Sequence, residues 1–426
     1  MSKSLTAWPK AKVKDLAEYI TVGFVGSMSH LFCDDGVPLL RGQNIKPYSL
    51  DLSNLKFISL ETHRKWKKSA LLPGDVAIVR VGYPGTACVI PEGAGELNAA
   101  SLVIVRPDKK LLDSNYLCYV INSPWGNSQI LGRLVGSAQQ VFNTQTAADL
   151  EIPAPPLPTQ RKIAGILSAY DDLIKNNLRR IKILEEMAQS LYREWFVHFR
   201  FPGHESAHLV DSEIGRIPKG WDVKAMTEAV TVRPKVSIPK GGEIPFVTMG
   251  GLSENSMLIT EVESRDSPTG ARFQNGDTLF ARITPCLENG KTGYVEFLPS
   301  AESAACGSTE FIVLRSKTVC PQYVYLMARS DAFRDNAIKS MSGATGRQRV
   351  RDECFDQFYL AQPPEELVAR FESITPPQFE LIHSLNRRNQ NLRRTRDLLL
   401  PKLLSGDSVA LCAGNRALDD ESVSIS

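Results

Sequence analysis

Beyond Pro158 the apolar residues fall at Leu167, Tyr170, Ile174, Ile181, Leu184, Ala188, Leu191 and Trp195, in alternating steps of three and four that only Asn177 interrupts. That spacing predicts a long helix with a heptad seam. A second seam on the same frame carries Ile382, Leu385, Leu392, Leu399 and Leu403, with Asn389 and Arg396 where the first has Ile181 and Ala188. The segments superpose at an offset of 208: "LIKNNLRRIKIL" (Leu173 to Leu184) meets "LIHSLNRRNQNL" (Leu381 to Leu392). Pro376 and Pro377 stand where the first copy has Ser168 and Ala169. The second segment is therefore expected to split into a short helix and a long one starting near Pro377.

Upstream of each seam the pattern changes to short alternating or β-branched runs with Gly/Pro turns, as in "PGDVAIVRVG" (Pro73 to Gly82), which reads as a turn and a buried strand. These blocks also repeat. "VKDLAEYITV" (Val13 to Val22) matches "VKAMTEAVTV" (Val223 to Val232), "PLLRGQNI" (Pro38 to Ile45) sits near "PFVTMGGL" (Pro245 to Leu252), the Pro73 to Gly82 stretch near "NGDTLFARIT" (Asn275 to Thr284), and "DLEIPAPP" (Asp149 to Pro156) near "QFYLAQPP" (Gln357 to Pro364). The landmarks keep one order while the offset drifts, as for loops of unequal length on one scaffold.

The fold class expected is α+β: two mixed α/β blocks separated by two long helices in an antiparallel coiled coil, an internal pseudo-twofold repeat. The expected boundaries are 1–157 for the first block, 158–200 for the first long helix, 201–364 for a linker and the second block, 365–406 for the second helical region, and 407–426 for a disordered acidic tail. Neither seam is long or apolar enough to stand alone, and the nearest partner for each is the other copy. Ile174, Asn177, Ile181, Leu184, Leu191, Ile382, Leu385, Leu392 and Leu399 are the expected pairing residues, with Asn177 fixing register.

Composition narrows the function classes. At 426 residues, 42% hydrophobic and 23% charged, the chain is too long for one core and ordinary for a globular protein. The N-terminus lacks the apolar core of a secretory signal, so a cytoplasmic location is expected. Eight cysteines without a CxxC pair argue against a zinc ribbon or a disulfide framework. The net charge of +3 identifies nothing, but from Phe379 to Lys402 six Arg/Lys face two acids. A helix of about 27 to 40 residues spans about 40 to 60 Å at 1.5 Å per residue. Two similar blocks related by a local twofold at that separation suit the reading of two unlike half-sites on duplex DNA.

On these residues the chain resembles the specificity subunits of Type I restriction-modification systems. The likeness runs from Val13 to about Ser408. It is carried by "PLPTQRKIAGILSAYDDLIKNNLRRIKILEEMAQSLYREWF" (Pro156 to Phe196), "IPKGWDV" (Ile217 to Val223), the Gly-Asp strand entries at Gly74 and Gly276, and "LLLPKLLSG" (Leu398 to Gly406). The resemblance implies that each block is a target recognition domain, that the paired helices set the unread spacer, and that two methyltransferase subunits, and then restriction subunits, join on double-stranded DNA. It implies no cofactor for this chain; S-adenosylmethionine, ATP and Mg belong to those partners. No adenine methyltransferase NPPY-type motif, GxGxxG turn or Walker A loop occurs in the sequence, so no catalysis is expected of it.

Two loops precede the last strand of each half, "GRLVGSAQQVFN" (Gly132 to Asn143) and "KSMSGATGRQRV" (Lys339 to Val350). Glycines let the backbone approach DNA, while Arg suits guanine and Gln adenine. Gln139, Gln140, Thr345, Arg347, Gln348 and Arg349 are the leading candidates, followed by Arg41, Gln43, Arg80, Tyr83, Arg272, Arg282 and Lys291. Each is weighed against an ordinary solvated or salt-bridged side chain. Arg179/Arg180 and Arg387/Arg388 suit phosphates or an acidic partner, or simply a wet helix face. "HESAH" (His204 to His208) matches a zinc-peptidase pattern but lies in a linker rich in small residues, and no metal is expected there. The competing readings are a coiled-coil scaffold acting through protein association alone and, less favoured, a zinc peptidase.

Overall fold

The structure is a computed structural model that describes residues 8–134, 141–238, 241–266, 268–344 and 346–406. The acidic tail from 407, and Gln139, Gln140 and Thr345 among the candidates, lie outside these. The chain divides into two compact units, Met1–Lys175 with Gln390–Ser426, and Asn176–Asn389.

In the first unit one antiparallel sheet has the order Ala87–Val89, Val76–Val79, Leu102–Pro107, Ala17–Val22. A second runs Phe32–Cys33, Lys56–Ile58, Val37–Leu40, Leu97–Ala99, Ala70–Leu71, with one parallel pair, Val37–Leu40 beside Leu97–Ala99. The second unit repeats the plan. Its first sheet is Thr292–Tyr294, Thr278–Ala281, Phe311–Ser316, Val230–Val232, and its second is Val262–Asp266, Glu243–Val247, Ala304–Gly307, Ala271–Gln274, again with a single parallel pair. Each unit also joins a strand near its start to one just before its long helix: Lys10–Lys12 with Glu151–Pro153, and Asp222–Ala225 with Tyr359–Gln362. Sequence landmarks alone did not give this strand order.

The Gly-Asp strand entries are explained by one device used twice. Gly74 and Gly276 take φ of +90° and +87°, a left-handed turn that favours glycine. The aspartate that follows is buried and grips an arginine on the neighbouring strand with both oxygens. Asp75 meets Arg106 at 2.8 and 2.8 Å, and Asp277 meets Arg315 at 2.7 and 2.7 Å. The same carboxylates accept the Leu72 and Gln274 backbone N–H groups, each at 2.8 Å. These motif residues build the scaffold.

The first long helix, Leu157–Tyr192, ends in a π-helical turn at Arg193–Val197. The second runs from Glu365 to Ser405 without a break, which corrects the expected split at Pro376 and Pro377. Two prolines remove two backbone donors and crowd the preceding turn. Burial outweighs that cost, because Phe371, Thr375, Phe379 and Ile382 form one buried face on both sides of the prolines. Phe379 packs edge-on against Tyr294 at 5.1 Å and Tyr325 at 5.7 Å, and Thr375 Oγ1 donates to the Phe371 carbonyl at 3.0 Å.

Within each unit the two helices touch and run antiparallel. In the second, Asn177 Nδ2 donates to Asn389 Oδ1 at 2.8 Å, and Ile181 shares a core with Ile382 and Leu385. In the first, Asp171 pairs with Arg396, while Ile163 and Leu167 share a core with Leu400, Leu403 and Leu404. Of the expected pairing residues, Ile174, Asn177, Ile181, Ile382 and Leu385 are buried, and Leu184, Leu191, Leu392 and Leu399 are half-buried.

Glu185, on the same helix, carries a measurable consequence. Its Oε1 accepts from Ser256 Oγ and from the Met257 N–H, both at 2.7 Å. Burial lifts its carboxyl above the ordinary value of 4.5, against the lowering by those bonds and by Arg329 and His383. A raised folded pKa means stability that is fully present below about pH 4.5 and lost as pH rises through the folded value. Glu185→Gln, which keeps the acceptor, is expected to melt higher than the native chain at pH 7, with the difference shrinking towards zero below pH 4.5. Thermal melts across pH 4 to 8 measure this.

Candidate nucleic-acid interface

The sheets set two of the candidates, Arg80 and Arg282, just past the end of the same strand in each unit. In the first, Val76–Val79 delivers Arg80, whose carbonyl accepts from Phe142 N–H at 3.1 Å; of the expected Gly132 to Asn143 loop, Gly132 to Leu134 end a helix and residues 135–140 lie outside the described residues. Arg80 is half-buried, and its Nε has no hydrogen-bond partner among the described residues. The hairpin beyond it lifts Tyr83 to 84% exposure, the highest of any large apolar side chain described. The turn packs closely: Gly85 has φ +91°, lies against Ile130 and Asn127, and donates to the Val79 carbonyl at 3.1 Å. The turn Gly42–Asn44 borders the same strand, since a Cβ on Gly42 would sit 3.5 Å from Val79 Cγ1. Gln43 is exposed there, whereas Arg41 is drawn back onto its own chain, donating to the Asn54 carbonyl at 3.0 Å.

The second unit follows the same plan with more charge. Arg282 ends strand Thr278–Ala281, donates from Nη2 to the Val350 carbonyl at 2.7 Å, and accepts from Val350 N–H at 2.9 Å. Thr284 N–H donates to the Gln348 carbonyl at 3.1 Å, and Ser342 and Arg349 exchange both backbone hydrogen bonds at 3.0 and 2.9 Å. The returning loop is thus tied at its base, with Arg347 exposed beyond it. Lys291 is turned inward to the Met249 carbonyl at 3.0 Å. Arg272 is exposed and lines a cleft of about 450 Å³ with Arg233 and Lys235.

Acids pin this basic cluster. Glu310 holds Arg349, Asp352 holds Arg233, and the Glu310 carboxyl is pulled below its usual range, chiefly by its bond to Arg349 and then by the charges of Arg349, Arg282 and Arg233. Arg233, Lys235, Glu310 and Asp352 were missed by sequence reasoning. The basic pair around Pro234 after a β-branched run was a readable signal. The acids were not readable, because Glu310 lies 39 residues from Arg349 and Asp352 lies 119 from Arg233.

Arg179, Arg180, Arg387 and Arg388 are exposed on the long helices. The HESAH histidines do not share a helix face: His204–Ser206 is a single 3-10 turn, and His204 Nδ1 lies 2.8 Å from the Phe201 carbonyl oxygen. Among the described residues, no group of three or more His, Cys, Asp or Glu side chains is placed to hold a metal ion. No helix among them is long and apolar enough to cross a membrane. What the arrangement offers chemically is two loop-and-strand-end clusters of guanidinium, amide and aromatic groups on rigid sheets, suited to reading base edges and phosphates.

Comparison with known proteins agrees with the resemblance read from the sequence. Residues 66–186 match the family described as Type I restriction modification DNA specificity domain. The chain is 26% identical over 420 residues to the Type I restriction enzyme MjaIX specificity subunit of Methanocaldococcus jannaschii, covering 94% of this chain and 93% of that one. It is 20% identical over 429 residues to the HindI specificity subunit of Haemophilus influenzae, covering 85% and 92%. Among solved structures, the Type I restriction-modification S subunit from M. genitalium covers 95% of this chain and 97% of its own, with a TM-score of 0.55 at 14% identity. That last likeness concerns the fold alone.

Proposed function

We propose that this chain, a Type I restriction-modification specificity subunit by its kinship along nearly the whole length and by its doubled fold, reads an asymmetric two-part target on duplex DNA and presents it to methyltransferase and restriction subunits. The first unit reads one half-target through Arg80, Tyr83, Gln43 and the Gly132 to Asn143 loop. The second reads the other through Arg282, Arg347, Gln348, Arg349 and Arg272. The observation that carries the reading is the repetition itself: a four-stranded sheet of the same strand order and a second sheet with one parallel pair in each unit, with a basic strand end and a returning chain at the same place in both. A chain that only joined proteins would have no need of two such clusters with unlike side chains.

The long helices act as an antiparallel coiled coil that sets the number of unread base pairs between the half-targets, and their exposed faces take the partner subunits. Methyl transfer and ATP-driven cleavage belong to those partners with their S-adenosylmethionine, ATP and Mg; this chain contributes recognition and placement. Adenine methylation in duplex DNA requires the base to leave the stack, so holding the target in register is the part of catalysis that falls to it.

Mapping methylated bases across a genome with and without this chain, alongside its modification subunits, tests the proposal. One interrupted adenine motif with unlike halves is expected to vanish when the chain is removed. An unchanged set of motifs would sink it. Binding of the assembled complex to duplex DNA is expected to fall steeply between about 50 and 200 mM salt as phosphate contacts are screened.

A further inference from the structure

We infer that Glu310 is a positioning residue that aims the guanidinium of Arg349 at a guanine in the half-target read by the second unit, an inference that rests on the specificity-subunit reading above.

The geometry is that of a buttressed arginine. Arg349 Nε lies 3.0 Å from both Glu310 oxygens, and its Nη2 lies 2.7 Å from Oε1. The carboxylate therefore occupies the side edge of the guanidinium. The end edge, made of Nη1 and the remaining hydrogen of Nη2, is left over, and Nη1 meets no partner among the described residues. Those two donors in one plane match the O6 and N7 acceptors that guanine presents in the major groove. Arg349 is 47% exposed while Glu310 is 23%, so the acid forms the backing and the arginine the face.

Both residues stand on fixed backbone. Arg349 exchanges two hydrogen bonds with Ser342 and follows Gln348, which is bonded to Thr284. Glu310 is held by its own N–H to Ser308 Oγ at 3.2 Å and by its carbonyl, which accepts from Arg282 N–H at 3.0 Å. A long side chain swinging freely would lose rotamer entropy on meeting a base; one already clamped loses less. An exposed Arg–Glu pair contributes little to stability, which leaves orientation as its main effect. Among the described residues of the first unit no equivalent acid stands at this place, because Ser101 precedes its corresponding strand, Leu102–Pro107.

The test uses the full chain in its complete complex with the modification subunits, reading the methylated motif in cells. Arg349→Ala is expected to relax one guanine position in one half-target to other bases, with discrimination there falling on the order of 10-fold or more. Glu310→Ala is expected to relax the same position, and Arg349→Lys not to restore it, because an ammonium lacks the planar fork. Thermal melts accompany each variant; should Arg349→Ala fail to fold, Arg349→Lys and Glu310→Gln decide. A uniform loss of methylation at every site with the motif unchanged would make Arg349 a phosphate contact and overturn the inference. So would an unaltered motif in Glu310→Ala. If no motif depends on the native chain, it is the specificity-subunit reading that has failed instead.

Discussion

Asp171→Leu is expected to cost about 3 to 5 kcal/mol of stability, read as a lower midpoint in urea, because it removes one member of a buried ion pair and leaves the other uncompensated. Arg396 sits in the seam of the second long helix with its side chain 11% exposed, paired with Asp171 and stacked over the Tyr48 ring at 4.6 Å. Asp171 also accepts from the Tyr119 hydroxyl, so the network ties both helices to the core of the first unit. Asp397, 2.9 Å from Arg396 but exposed, shields part of the orphaned charge and places the loss towards the lower end. The double variant Asp171→Leu with Arg396→Leu is expected to recover most of it, since a buried pair and apolar groups of similar size are often near balance. A double variant no better than the single would refute the coupling.

The repeat gives this pair a second meaning. At the offset of 208, Asp171 corresponds to Phe379 and Arg396 to Ala188, both buried and apolar in the second unit. Asn177 likewise corresponds to Leu385 and Asn389 to Ile181. Each polar residue therefore finds its complement only when unlike copies of the helix meet. A helix paired with its own kind would bury a carboxylate against alanine, or a guanidinium against phenylalanine, at a cost of several kcal/mol.

Asp277→Ala is expected to be comparably severe, about 3 kcal/mol or more. The carboxylate is 1% exposed and satisfies both the Arg315 fork and the Gln274 N–H, all of which lose their acceptor together. Arg315 retains some access to water, which tempers the loss. Asp277→Asn, keeping one acceptor, is expected to lose less. Because Asp277 opens strand Thr278–Ala281 and Arg282 follows it, the variant is expected to lower the melting temperature and, under the function proposed above, to make methylation by the assembled complex temperature-sensitive while leaving the motif itself unaltered at permissive temperature. A changed motif would mean that the pair shapes the reading loop as well as the scaffold.

By itself, the sequence determined what depends on local period and on repetition. The heptad seams located the first long helix and the part of the second beyond Pro377; the order of landmarks marked the doubling; the Gly-Asp pairs marked the strand that leads to Arg80 and Arg282. Tertiary structure decided what depends on meetings between distant residues. It carried the second helix through Pro376 and Pro377, because aromatic burial on both sides outweighs two missing backbone donors. It turned Arg396, which reads as a flaw in a seam, into half of an ion pair with Asp171, and gave Lys291 a hydrogen bond to the Met249 carbonyl. It also set Glu310 behind Arg349. Periodicity reports which face of an element is apolar, whereas the partner of a charge is chosen by where the chain returns, and no spacing along the sequence records that.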